Sequence, residues 1–153
     1  MAPGEVVATA IERLRDAGVP TETRVATLRG AFGRTKLRAV GAVWRLGVLC
    51  LSADGAVFAT GEVIMVTEPT HQNFRSQVAV ERNELRGLLR RAGLPVGATA
   101  VLDARPLDVD APESPLVATD DGLAVEWTAG GSPIPFADYL TERVELLAGG
   151  ASR

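Results

Sequence analysis

The stretch from Ala42 to Thr67 constrains the fold more than any other part of the chain. It runs Ala-Val-Trp-Arg-Leu-Gly-Val-Leu-Cys-Leu from Ala42 to Leu51, then turns polar at Asp54-Gly55. It resumes as Ala-Val-Phe-Ala-Thr-Gly-Glu-Val-Ile-Met-Val-Thr from Ala56 to Thr67. Two runs rich in β-branched, aromatic and apolar residues, joined across Asp-Gly, predict a β-hairpin. Side chains alternate along a strand, so Trp44, Leu46, Val48 and Cys50 would share one face. Arg45, Gly47, Leu49 and Leu51 would share the other. Both faces are largely apolar, which predicts a central hairpin covered on both sides.

The cover comes from segments with helical spacing. Val6, Val7, Ala10, Ile11, Leu14 and Ala17 predict an amphipathic helix that starts near Pro3 and stops at Gly18 and Pro20. Val78, Leu85, Leu88, Leu89 and Ala92 predict a second, closed by Gly93 and Pro95, with Arg86, Arg90 and Arg91 late in it, where cations suit the helix dipole. Phe136, Leu140, Val144 and Leu147 predict a third, opened by Pro133 and Pro135 and ended by Gly149-Gly150.

Strand-like runs occupy 23–28, 35–40 and 96–102, with Gly30-Ala-Phe-Gly33 as a turn between the first two. Residues 103–115 are rich in proline and acid and read as a loop. An edge strand at 116–119 then turns at Asp120-Asp121-Gly122 into Leu123–Thr128.

The expected fold class is therefore α+β. It is a twisted, mainly antiparallel sheet of five to seven strands centred on the 42–67 hairpin, with three helices packed on it. A length of 153 residues predicts a single domain, 1–153. One cysteine, Cys50, forbids an intrachain disulfide and reads as a buried apolar side chain. No signal-like segment and no apolar run of ~20 residues is visible, so the expectation is a soluble, cytoplasmic protein away from membranes.

Charge is distributed unevenly. The chain carries a formal −3, yet residues 1–50 hold eight Lys/Arg against four Asp/Glu, and residues 101–153 hold three against ten. No acid lies between Glu22 and Asp54, a window that holds Arg24, Arg29, Arg34, Lys36, Arg38 and Arg45. Such a window suits an anionic partner, or an acidic surface of the same chain. The pI near 5.2 argues against a nucleic-acid domain, for which the usual footprint is strongly basic. Phe32 and Trp44 are the stacking surfaces such a domain would use.

Candidate chemistry is sparse. His71 is the only histidine, and with Glu68 three residues earlier it is the candidate catalytic pair, a general base in a loop at the end of the sheet. One histidine and one distant cysteine do not make a zinc site, so no metal is expected. The acids from Asp103 to Asp121 miss the calcium-loop pattern, because counting from Asp108 places Glu113 at the sixth position and Thr119 at the twelfth. Gly30-Ala-Phe-Gly33-Arg34-Thr35 matches neither a P-loop nor a dinucleotide fingerprint, and no cofactor is expected. If that turn binds anything, its amides with Arg34 and Lys36 would hold an anionic group. The candidate ligand-binding residues are Arg24, Arg34, Lys36 and Arg38.

The run Phe32-Gly-Arg-Thr-Lys-Leu-Arg-Ala-Val, with Trp44-Arg-Leu-Gly-Val-Leu, Asp54-Gly55 and Ala59-Thr60-Gly61, resembles short actinobacterial proteins, some of which are labelled glutaminase. The resemblance spans residues 32–61. Serine-dependent glutaminases resemble the β-lactamase fold and use a Ser-x-x-Lys pair. Here the only lysine, Lys36, has Gly33 three residues before it, so no active-site residue carries over.

Three functions follow as expectations, in this order. The first is a binding or interaction module, as a homo-oligomer or with an acidic protein or anionic small molecule on its Arg-rich surface. The second is a hydrolase using Glu68 and His71. The third is nucleic-acid binding.

Overall fold

The computed structural model describes residues 1–67 and 77–151. The fold is α+β: three helices, a mixed seven-stranded sheet and a small three-stranded sheet. In chain order the elements are α1 (Pro3–Asp16), β1 (Glu22–Arg29), β2 (Thr35–Leu46), β3 (Leu49–Leu51), β4 (Val57–Ala59) and β5 (Glu62–Met65). They continue with α2 (Gln77–Arg91), β6 (Thr99–Leu102), β7 (Arg105–Leu107), β8 (Leu116–Thr119), β9 (Gly122–Val125), β10 (Ile134–Pro135) and α3 (Phe136–Ala151). The large sheet has the hydrogen-bonded order β5-β6-β1-β2-β3-β4-β7, and the small one β10-β9-β8.

The chain forms two compact units. One comprises Met1–Thr21, Ala42–Thr60 and Arg105–Arg153; the other comprises Glu22–Gly41 and Gly61–Ala104. β2 contributes residues to both.

The first unit contains the predicted spine in altered form. Ala42–Leu51 is not one strand. It breaks at Gly47-Val48, and Trp44, Arg45 and Leu46 pair antiparallel with Leu51, Cys50 and Leu49. The physical reason is a turn that only glycine fits. Gly47 has φ +67°, and a Cβ there would collide with the Tyr139 hydroxyl. That hydroxyl donates to the Leu46 carbonyl at 2.7 Å and accepts from the Val48 amide at 3.0 Å. The break also revises the assignment of side chains to faces, which assumed an unbroken strand.

The Asp54-Gly55 turn forms where predicted. Leu49, Cys50 and Leu51 pair with Ala59, Phe58 and Val57 across it. Ser52 accepts the Gly55 amide at 3.0 Å and donates its own amide to Ala56 at 3.0 Å. The spine is thus a three-stranded meander, β2-β3-β4, rather than a two-stranded ribbon. Both its faces are buried: Leu49, Leu51 and Val57 join Trp44 and Leu46 in one core, and Cys50 and Phe58 are buried at the alternate positions.

α1 and α3 complete that core. Val6, Val7, Ala10, Ile11 and Leu14 recur at helical spacing and meet Phe136, Tyr139, Leu140 and Val144. Leu14 is wholly buried, a transfer worth roughly 1.5–3 kcal/mol. The Trp44 indole donates to the Val19 carbonyl at 2.9 Å, which satisfies its polar edge. α3 continues through Gly149-Gly150 to Ala151, so the glycine pair does not end it as expected. Residues 105–107, expected in a loop, form β7 on β4. Backbone pairing there uses the amides that Pro106 leaves intact, consistent with an edge position.

The second unit is a sheet backed by one helix. β1 pairs parallel with β6, and β5 pairs antiparallel with β6. Val25, Leu37, Ile64, Val66, Ala100 and Leu102 form one buried cluster with Leu89 and Leu94. The strand predicted over 96–102 begins only at Thr99, because Gly97 donates to the Val66 carbonyl and Ala98 to Pro95 in a preceding turn. Asp103, just after β6, accepts from the Thr27 amide at 2.9 Å and the Thr27 hydroxyl at 2.8 Å.

Candidate functional site

The second unit gathers the basic residues. Neighbours in the sheet, β1 and β2 are joined by Gly30–Arg34, where the Gly30 amide donates to the Arg34 carbonyl at 2.7 Å. So short a connection makes the pair a hairpin. At its tip Phe32 has φ +65° and lies fully exposed. A bulky side chain in the left-handed region is strained, and here no packing offsets the strain.

Strand alternation sorts the charges. Val25 on β1 and Leu37 on β2 point into the cluster that α2 covers. Arg34 has extended backbone, so Arg34, Lys36 and Arg38 recur with period two on the opposite side of β2 from Leu37. Arg24, one residue before Val25, falls on that same side of β1. All four candidate residues therefore share one face of the hairpin. Their roles differ. The Arg24 guanidinium donates to the Val40 carbonyl at 3.2 Å and is tied to the strand. Arg34, Lys36 and Arg38 are exposed, and none of the three is paired with a carboxylate among the described residues.

Arg34 and Lys36 also frame a cleft of about 390 Å³, with Thr35, Leu37, Leu88, Arg91 and Ala92. Leu37, Leu88 and Ala92 give it an apolar lining on the α2 side of the sheet, where Arg91 adds a cation, and Arg34 and Lys36 border it across the β2 edge. By its position late in α2, Arg91 reads in the sequence only as a cation suited to the helix dipole. Its spacing carried a further signal: Leu88, Arg91 and Ala92 stand at i, i+3 and i+4, hence on one face of α2.

Along the opposite side of β2, pairing with β3 reaches only Trp44 to Leu46. Residues 35–41 keep that edge outside any strand pairing among the described residues. Of these seven, only Leu37 is buried.

Other candidates do not converge. Glu68 and His71 lie outside the described residues. A groove of about 710 Å³ along α1 mixes Glu12, Asp16 and Asp54 with Arg15, and the Arg15 guanidinium donates to the Ala53 carbonyl at 3.1 Å. A second groove, about 350 Å³ between α1 and α3, is mostly apolar and is bounded by the Arg13–Glu145 pair. Among the described residues no three of His, Cys, Asp and Glu gather as a metal site. Of the acids considered as cation ligands, Asp103 is engaged by Thr27, and Asp108 accepts the Asp110 amide at 2.9 Å. Cys50 is buried, with its sulfur 3.4 Å from the Thr60 hydroxyl. Trp44, considered as a stacking surface, is buried in the core of the first unit.

Fold and site together define an α+β protein with a basic hairpin beside a helix-backed cleft. No family model, curated protein or solved structure matches the chain. Among the described residues no helix is long and apolar enough to cross a membrane.

Proposed function

We propose that the protein is a binding module that engages an anionic partner through the β1–β2 hairpin. The observation that carries this reading is the row Arg34, Lys36 and Arg38 on one strand face, beside a cleft to which Arg91 adds a further cation. Like charges held side by side on a strand repel one another, and no carboxylate among the described residues relieves them. An incoming anion would gain both the attraction and the relief. The exposed, strained Phe32 at the tip adds an apolar contact to the same surface.

Isothermal titration with polyglutamate tests the reading. Wild-type protein should bind at low salt and weaken steeply as salt rises, because exposed charges are screened. The triple variant Arg34→Ala, Lys36→Ala, Arg38→Ala should lose binding with its circular dichroism unchanged. Salt-insensitive binding, no binding at low salt, or binding untouched in the variant rules the reading out.

A further inference from the structure

We infer that the anionic partner is an extended acidic peptide, which adds as a strand to the open edge of β2 at residues 35–41. This rests on the reading that the hairpin binds an anion, and it goes on to name the partner and its geometry.

Three observations lead to it. First, among the described residues no strand pairs with this edge. β2 runs from Thr35 to Leu46, yet β3 pairs only with its last three residues. An unpaired edge presents a row of amides and carbonyls that a second extended chain can match. Proteins commonly shield such an edge by shortening it, bulging it, inserting proline or setting charges along it; Lys36 and Arg38 are such charges, which repel a cationic strand and admit an acidic one. This one stays long and carries no proline from 35 to 41.

Second, the two faces of that edge differ. An added strand lies in register with its neighbour, so its side chains alternate between the same two faces. On one face they would meet Arg34, Lys36 and Arg38. On the other they would meet the side that holds Leu37. Arg91 stands with Leu88 and Ala92 on one face of α2 and brings its charge to the same cleft as Arg34 and Lys36.

Third, the cleft adjoins the edge and has an apolar lining in Leu37, Leu88 and Ala92. At about 390 Å³ it holds a side chain or two rather than a folded domain. The preferred sequence is thus one that alternates carboxylates with aliphatic side chains. A compact anion such as phosphate would use the charges and leave both edge and cleft idle. A nucleic acid or a membrane would use the charges without backbone pairing.

The test uses wild-type protein and a short labelled peptide of alternating Glu and Val, followed by fluorescence anisotropy. Two further peptides carry N-methyl groups on alternate amides, one in each register, so that each keeps its charge but blocks one edge of strand pairing. The expected result is that one N-methylated register binds at least about tenfold more weakly than the parent and the other does not. Hydrogen exchange should slow at amides within 35–41 when the parent peptide is bound. Lys36→Glu with Arg38→Glu should weaken the parent peptide by about tenfold or more.

Equal binding of all three peptides, or protection that spares 35–41, overturns strand addition while leaving anion binding in place. Tighter binding of single-stranded DNA or of phosphatidylserine vesicles than of the peptide overturns the assignment of partner. Failure to bind either the peptide or polyglutamate sinks both readings. The N-methyl comparison needs no variant protein, so a misfolded charge-reversed chain leaves the test intact.

Discussion

Tyr139 puts its hydroxyl where a Cβ on residue 47 would have to go. Leu46, Gly47 and Val48 turn around that one oxygen, which donates to the Leu46 carbonyl and accepts the Val48 amide. Gly47→Ala must both hold a left-handed φ and displace the hydroxyl. The expected cost is roughly 2–4 kcal/mol, summing strain and a lost buried hydrogen bond. Tyr139→Phe removes only the hydrogen bonds and should cost less, roughly 1–3 kcal/mol. In the double variant the two losses should fall short of their sum, because they share one interaction. Urea unfolding of the four proteins measures this, and strict additivity would show that the hydroxyl does not organise the turn. The glycine was visible in the sequence, but its partner ninety-odd residues away was not. An apolar run interrupted by one glycine reads equally well as a continuous strand.

At the scale of elements, an ion pair joins α1 and α3 on their exposed sides. The Arg13 Nε donates to a Glu145 carboxylate oxygen at 2.9 Å. That hydrogen bond, together with the charge attraction, holds the Glu145 carboxyl below the usual carboxylate range, and partial desolvation works against it. The Arg13 guanidinium is raised for the matching reason. A carboxyl whose pKa is lowered by folding stabilises the fold above the unfolded value, near 4.3, and loses that effect as pH falls through the folded one. Glu145→Gln should therefore lower the melting temperature slightly at neutral pH. The gap from wild type should close as the pH drops below the ordinary carboxylate range, and should shrink with added salt. A gap that persists in acid would assign the effect to packing instead. The helices themselves were legible from the spacing of their apolar residues. The run of α3 through Gly149-Gly150 was not, because a glycine near a helix end weakens the helix without dictating where it stops.

At the scale of the molecule, each unit has its own buried cluster, one built on Leu14, Leu46 and Tyr139 and the other on Val25, Leu37 and Leu89. Leu89 is wholly buried in the second. Leu89→Ala should leave a cavity costing roughly 2–5 kcal/mol. Hydrogen exchange should quicken first in 22–41 and 79–104, ahead of the amides around Leu14 and Tyr139. Simultaneous acceleration everywhere would show that the two clusters open as one. The same unit carries the candidate site. β1 meets β6 across more than seventy residues of chain, and that pairing sets the hairpin against a helix from a distant segment.

Taken alone, the sequence determined that the chain is α+β, where its helices lie, that a turn forms at Asp54-Gly55, and that a cationic window opens near residue 24. These follow from period, punctuation and charge, which act between residues a few positions apart. Only the tertiary structure decided that the spine splits at Gly47, that Arg91 joins Arg34 and Lys36, and that no strand among the described residues pairs with the outer edge of 35–41. Such outcomes depend on which distant surfaces bury one another, and burial is set by the packing of the whole chain rather than by any local run of residues.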